Sequence, residues 1–320
     1  MDPVEGGFRT IIAVAAAKTN RLPGAGERSC GLLRSDSRPD FLAVGHVTHD
    51  LVRGGVRPGG AALYAAWTAH RLGRRAAVFT AHAEGFAGTS YLESLSSFVV
   101  PSPVTSTFRN LYRRGARHQR VAGVAADLDP GQLPRAWRKA ALVYLCPVLN
   151  EVPPGWAALF PDSFVAVAPQ GWLRQWDERG VVRPARWKGF EPFLEKAHLV
   201  IVSEEDLAGN REYVKIFRKL CPVVIVTRGR RGCTIYRGDR ILRLGVYPAE
   251  EKDPTGAGDV FGAAFLVRYA ETGSLEDAGR FASSAASLTV EREGLLGVPT
   301  REAVLDRMSR FALRMTILGP

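Results

Sequence analysis

From Phe41 onward the hydrophobic positions fall into short unbroken runs: FLAVGHV (41–47), AAVFTA (76–81), ALVYLC (141–146), FVAVA (164–168), HLVIVS (198–203) and VVIVT (223–227). Runs of this length, bounded by polar or turn residues, predict strands buried on both faces. Helical patterns separate several of them. Across 59–72, Leu63, Ala66, Trp67 and His70 recur at helical spacing, and Gly73 follows Leu72 as a helix stop. Such alternation predicts an α/β fold with a mostly parallel central sheet and helices on both faces. A hairpin is expected over 233–244, turning at Arg237-Gly238-Asp239-Arg240, and helices over 258–272, 275–291 and 300–315.

Two regions depart from that rhythm. Residues 104–125 alternate around a Gly-containing centre at 113–117, which predicts a hairpin outside the main sheet. Together with 50–58 they are expected to form a small β lid. Residues 1–38 combine an apolar stretch (10–17) with aperiodic Pro, Gly, Ser and Arg, and Asp2 and Glu5 oppose a secretory signal. They read as an N-terminal extension, followed by one domain over 39–320.

Composition narrows the class. Hydrophobic residues make up 46% of 320, enough for a sizeable core. No apolar run reaches the roughly 18–20 residues that span a bilayer, so a membrane partner is not expected. The net charge of +11 (43 basic minus 32 acidic residues) is spread without a basic run, so nucleic acid is not an expected partner either. Cys30, Cys146, Cys221 and Cys233 form no C-x-x-C pair and suit reduced thiols in a cytoplasmic protein. His46 and His49 lie three apart in a strand-like run, which would point them to opposite faces and not at one metal.

The candidate chemistry is concentrated in Asp253-Pro254-Thr255-Gly256-Ala257-Gly258-Asp259-Val260-Phe261, just ahead of a strongly helical run. A Gly-rich loop that opens a helix presents unpaired N–H groups and the positive end of the helix dipole, which is an anion site. A carboxylate in that first turn is favoured in its charged form and can accept a proton from a hydroxyl. A phosphate cradle beside such a base suits phosphoryl transfer to an alcohol.

This string closely resembles the C-terminal signature of the PfkB (ribokinase-like) carbohydrate kinases, and the similarity extends over about residues 40–310. The resemblance implies a ribokinase-like fold and ATP-dependent phosphoryl transfer to a sugar or cyclic polyol hydroxyl. It implies Asp259 as the catalytic base and Gly256, Ala257 and Gly258 as the anion hole. Asp253 and Thr255 match positions that often hold a monovalent cation such as K+. Asp50, Gly59, Gly60 and Tyr64 match the substrate segment, although Tyr64 stands where many relatives carry Asn. Asn110 and Arg109, Arg113, Arg114, Arg117 and Arg120 lie on the lid, where alternation would turn about half of them inward. Ser203 and Asp206 fall where the family often has Asn-x-x-Glu, which organises phosphate and Mg2+. Thr227, Gly229 and Gly232 match the turn that lines the nucleotide, with Gly229 and Gly232 allowing backbone approach, and Ser283 a position beside adenine. Thr107-Phe108-Arg109-Asn110, Ala168-Pro169-Gln170-Gly171 and Ser203 resemble an inositol kinase-like subgroup, which brings Gln170 and Arg174 toward the substrate. A nucleoside kinase, with Tyr64 and Phe108 stacking on a base, and a non-catalytic nucleotide-binding regulator are the alternatives. A monomer and a homodimer are both compatible with the lid edges. A Walker-type loop and the protein-kinase motifs are absent from the sequence.

Overall fold

The computed structural model describes residues 37–113 and 116–319. The extension expected over 1–38, with Cys30, lies almost wholly outside the described residues. So do Arg114 and the side chains of Arg113 and Arg117.

The strands in chain order are β1 (Phe41–Val44), β2 (Thr48–Val52), β3 (Gly55–Gly59), β4 (Ala76–His82), β5 (Ser96–Pro101), β6 (Ser106–Arg113), β7 (Ala116–Gly123) and β8 (Leu142–Leu145). They continue as β9 (Phe164–Val167), β10 (Arg174–Trp176), β11 (Val182–Pro184), β12 (Leu199–Ser203), β13 (Val223–Thr227), β14 (Cys233–Arg237), β15 (Arg240–Leu244) and β16 (Met315–Leu318). The helices are α1 (Ala61–Arg71), α2 (Thr89–Glu93), α3 (Glu191–Leu194), α4 (Glu212–Leu220), α5 (Ala257–Thr272), α6 (Leu275–Thr289) and α7 (Arg301–Arg310).

Ten strands form one sheet in the order β16-β15-β14-β13-β12-β9-β8-β1-β4-β5. The seven from β13 to β5 pair in parallel, and the last three add antiparallel. The apolar runs are continuous because both faces are covered. Within β1, Phe41 and Ala43 join the core under α1, α5 and α6, while Leu42 and Val44 join a second core with Trp137, Trp156 and Phe217.

The lid is a separate four-stranded sheet, β3-β2-β6-β7. It is larger than 50–58 and 104–125 suggested in one respect: β2 begins at Thr48, directly after the turn that ends β1. The run 41–47 is therefore not one strand. Gly45 ends it with φ 157°, and a Cβ there would lie 2.4 Å from the Cys146 carbonyl oxygen. Past Gly45 the chain turns inward, and the His46 N–H donates to Glu151 Oε1 at 2.7 Å. His46 is thus in a turn and its ring is committed, to Ser106 Oγ (2.8 Å) and the Ala126 carbonyl (2.9 Å).

Other expectations are corrected. The helix expected over 300–315 stops at Arg310. Phe311 turns to extended backbone, and residues 315–318 pair with β15, Met315 opposite Leu244 and Ile317 opposite Leu242. The helix expected to reach 291 ends at Thr289. Edge strand β5 and the β10–β11 hairpin were not legible, because their half-exposed residues lack a clean apolar run. Among the described residues no helix is long and apolar enough to cross a membrane.

Candidate active site

The Asp-Pro-Thr-Gly-Ala-Gly-Asp string is the loop that feeds α5. Gly256 is left-handed (φ 78°) and caps the helix, so Asp259 falls in the first turn. The small residues Gly262, Ala263 and Ala264 let α5 lie close on the sheet. A Cβ at 262 would meet the Tyr144 hydroxyl of β8 at 2.3 Å. This packing fixes the helix N-terminus, and with it Asp259, above the sheet.

The glycines of the loop serve different ends. A Cβ at Gly256 would meet the Tyr64 ring at 2.3 Å, whereas one at Gly258 would meet nothing within 4 Å. Gly256 is thus required by packing and backbone, and Gly258 leaves open space where an anion can approach the N–H groups.

Tyr64 lies on α1, which starts at the Gly59-Gly60 step. Gly60 has φ 98°, and a Cβ there would meet the His46 carbonyl oxygen at 2.5 Å. A Cβ at Gly59 would meet Asp50 Oδ2 at 2.8 Å, so the Asp50 carboxylate rests over the start of α1. Tyr64 itself is only 2% exposed. Burial pushes its phenol up, and the negative charges of Asp253, Asp50 and Asp259 push it further. The three carboxylates from β2, the Gly-rich loop and α5 therefore converge on one buried ring. The Tyr64 ring, expected on the substrate segment, packs beneath Gly256 of the loop. Phe108, the other expected stacking aromatic, is likewise buried, at 4% exposed.

Above these groups lies a cleft of about 730 Å3 between lid and loop, lined among others by Asp50, Arg57, Arg109, Asn110, Asp253 and Thr255. Asp50 is opposite Arg57 in the β2–β3 register and opposite Phe108 in β2–β6, so these residues share the inner lid face. Asn110 Nδ2 lies 3.5 Å from Asp50 Oδ1, and Gln119 Nε2 donates to Asn110 Oδ1 at 2.9 Å. Gln119 and Arg57 were missed in the sequence, since only strand register shows which lid residues face inward. Arg109 and Arg120 are exposed.

Asp253 is buried. Its Oδ1 accepts the Thr255 N–H at 3.0 Å, and its Oδ2 accepts the Gly294 N–H and Arg57 Nη1, both at 3.1 Å. Burial alone would raise this carboxyl, but hydrogen bonds from Thr255 and Gly294, with Arg57 beside it, hold it below the usual range.

The C-terminal ends of adjacent parallel strands form the other half of the region, where α/β sheets bind ligands. Ser203 ends β12 and Thr227 ends β13, paired in register. Ser203 Oγ donates to Asp206 Oδ2 at 2.5 Å, and Arg174 Nη2 donates to Asp206 Oδ1 at 3.0 Å. Arg174 thus arrives beside the Ser203–Asp206 turn. Gln170 is half-buried at the start of the short turn that leads to Arg174. Gly229 faces open space, but a Cβ at Gly232 would meet the Leu244 carbonyl oxygen at 1.9 Å. Hairpin packing therefore requires glycine at 232. Ser283 is buried in α6. Among the described residues no three His, Cys, Asp or Glu side chains converge as a metal site.

A parallel sheet with a β lid and a helix N-terminus opening into the cleft between them defines a ribokinase-fold protein. Residues 173–301 match the model of the pfkB family carbohydrate kinases. The chain is 41% identical over 87 residues to a ribokinase of Bacillus subtilis, covering 27% of this chain and 30% of that protein. It is 44% identical over 72 residues to a nucleoside kinase of Methanothermobacter thermautotrophicus (22% and 23%) and 35% identical over 134 residues to an inositol 3-kinase of Arabidopsis thaliana (41% and 37%). The matched segments thus span from under a quarter to under two-fifths of these curated relatives. Among solved structures, a pyrophosphate-dependent kinase in the ribokinase family, complexed with a pyrophosphate analog and myo-inositol, superimposes with a TM-score of 0.71 at 22% identity, covering 83% of this chain and 99% of that one. Arabidopsis thaliana ribokinase complexed with ribose and ATP gives 0.68 at 21%, covering 86% and 100%. The chain therefore has the ribokinase fold, and its segment 173–301 is similar to the pfkB family carbohydrate kinases.

Proposed function

We propose that this protein transfers the γ-phosphoryl group of Mg·ATP to a hydroxyl of a sugar or cyclic polyol. The observation that carries the reading is Asp259 in the first turn of α5, with the open approach at Gly258 beside it and Asp50 converging from the lid.

The acceptor occupies the cleft under the lid, where Asp50, Asn110 and Gln119 bind its hydroxyls. Asp259 takes the proton of the reacting hydroxyl as its oxygen attacks the γ-phosphorus, while the bond from that phosphorus to the β,γ-bridging oxygen breaks and ADP leaves. The N–H groups of Gly256, Ala257 and Gly258 stabilise the charge that develops on the transferred group. The nucleotide lies along the strand ends, past Ser203, Thr227 and Gly229, toward Ser283. Arg174, held by Asp206, adds a positive charge to that track. Mg2+ on the ATP phosphates neutralises charge when bound. The lid excludes water and so limits ATP hydrolysis.

A polyol or sugar suits the cleft better than a nucleoside. The two aromatic rings that would stack on a base, Tyr64 and Phe108, are occupied in the core. The location that goes with this reading is the cytoplasm, where ATP is supplied and where the buried, unpaired thiols of Cys146, Cys221 and Cys233 would stay reduced. Residues 39–320 would be the catalytic unit, preceded by the 1–38 extension, and working as a monomer or a homodimer.

The test is product formation with ATP, and with pyrophosphate as a second donor, across sugars, inositols and nucleosides. One acceptor class should stimulate turnover, and Asp259→Asn should lose at least about 10³-fold in kcat with nucleotide affinity retained. An Asp259→Asn variant as active as the parent would sink the assignment of the base. Nucleotide binding with no acceptor turnover would favour a regulator.

A further inference from the structure

The monovalent cation that the family resemblance implies at Asp253 and Thr255 meets an obstacle in this chain. The Asp253 carboxylate already accepts from two backbone N–H groups and from the Arg57 guanidinium at 3.1 Å. Arg57 Nη1 also lies 3.4 Å from Glu293 Oε2, next to Gly294, whose N–H binds the same Asp253 oxygen. The positive charge that a bound ion would bring to this corner is therefore present as part of the protein. A second cation there would be repelled by the first at short range, in a partly buried setting where screening is weak.

The origin of this arginine matters as much as its charge. Arg57 belongs to lid strand β3, opposite Asp50 on the inner face, and two residues ahead of the Gly59-Gly60 step. Strand β3 packs on the turn at 294–297. The ion pair thus joins three parts of the chain: the lid, the loop that carries Asp259, and the turn after α6.

We infer that Arg57 is a built-in cation for the Gly-rich loop, which frees the enzyme from a monovalent ion and makes seating of the lid and ordering of the loop one event. This rests on the proposed kinase reading for its kinetic arm only. Arg57 touches no reacting atom; it is a positioning residue acting through Asp253.

The experiment compares parent, Arg57→Met and Arg57→Lys in KCl, NaCl and N-methyl-D-glucamine chloride at matched ionic strength. Both initial rates and thermal unfolding midpoints are read. Parent rates should agree within about twofold across the three salts, and Arg57→Met should fall by at least about tenfold in N-methyl-D-glucamine and recover in KCl. Arg57→Lys, which keeps a charge, should stay insensitive to the ion. In unfolding, KCl should raise the midpoint of Arg57→Met over N-methyl-D-glucamine and leave the parent unmoved. Activation of the parent by KCl of tenfold or more, or a KCl-specific rise in the parent's midpoint, would overturn the inference. So would an Arg57→Met variant indifferent to salt. If Arg57→Met does not fold, Arg57→Lys decides: a KCl-dependent Lys variant contradicts the inference, and a KCl-independent one supports it. If no acceptor is turned over at all, the kinase reading fails, while the unfolding comparison still decides the role of Arg57.

Discussion

Gly256 and Gly258 stand two residues apart in one motif and answer to different forces. At Gly256 an added methyl meets the Tyr64 ring and the backbone is left-handed. Gly256→Ala should therefore destabilise the protein by about 2–4 kcal/mol, read by denaturant unfolding. At Gly258 the methyl meets nothing. Gly258→Ala should unfold like the parent yet lose about 10²-fold or more in kcat, because the methyl fills the anion approach. His198 makes a second residue-scale case. Burial pushes its pKa down to about 4, and its Nδ1 accepts the Val165 N–H at 3.1 Å, which a protonated ring cannot do. A depressed folded pKa gives stability that is present above the unfolded value of 6.5 and lost as pH falls toward the folded one. Between neutral pH and about pH 5 the loss from this residue should be about 2 kcal/mol. Urea unfolding at the two pH values should show it, and His198→Asn, though weaker at neutral pH, should lose that part of the pH dependence.

Among the elements, α5 and α6 are tied to α1 and α7 by a charge cluster around Glu271. Its carboxylate binds Arg301 through two hydrogen bonds, Arg268 at 3.2 Å and the buried Arg74. Burial would raise Glu271, but Arg301, Arg74 and Arg268 outweigh it and hold the group below its usual range. Glu271→Gln would strand Arg74, and should cost about 3 kcal/mol in unfolding free energy with acceptor KM unchanged. The Arg268–Glu271 pair has ordinary i,i+3 helix spacing, but the contacts to Arg74 and Arg301, far apart in the chain, could not be read from the sequence. The parallel strands, by contrast, were legible: residues buried on both faces leave an unbroken apolar signature. Edge strands β5 and β16 carry none, because pairing with a neighbour, and not burial, defines them. Glu151 shows the same limit. Fully buried, it accepts N–H groups from His46, Val148 and Leu149 and shapes the turn that leads into the lid, with no motif to announce it.

At the scale of the whole molecule, the described residues carry two cores, one on each face of the sheet. A chain beginning at residue 37 should therefore keep the parent's thermal midpoint within a few degrees and its kcat within about twofold, checked by calorimetry and ADP release. A large loss of either would assign the first 36 residues a part in the fold or the reaction.

The sequence alone determined the α/β layering, the lid and the loop that carries Asp259, because each depends on local patterns: apolar runs, alternation, and glycines ahead of a helix. Tertiary structure decided what those parts face. It put the Tyr64 ring beneath Gly256, turned Arg57 inward against Asp253, brought Arg174 to Asp206 and matched Gln119 to Asn110. These are contacts between side chains distant in sequence. Their direction is set by strand register and helix seating, and no single stretch of chain records it.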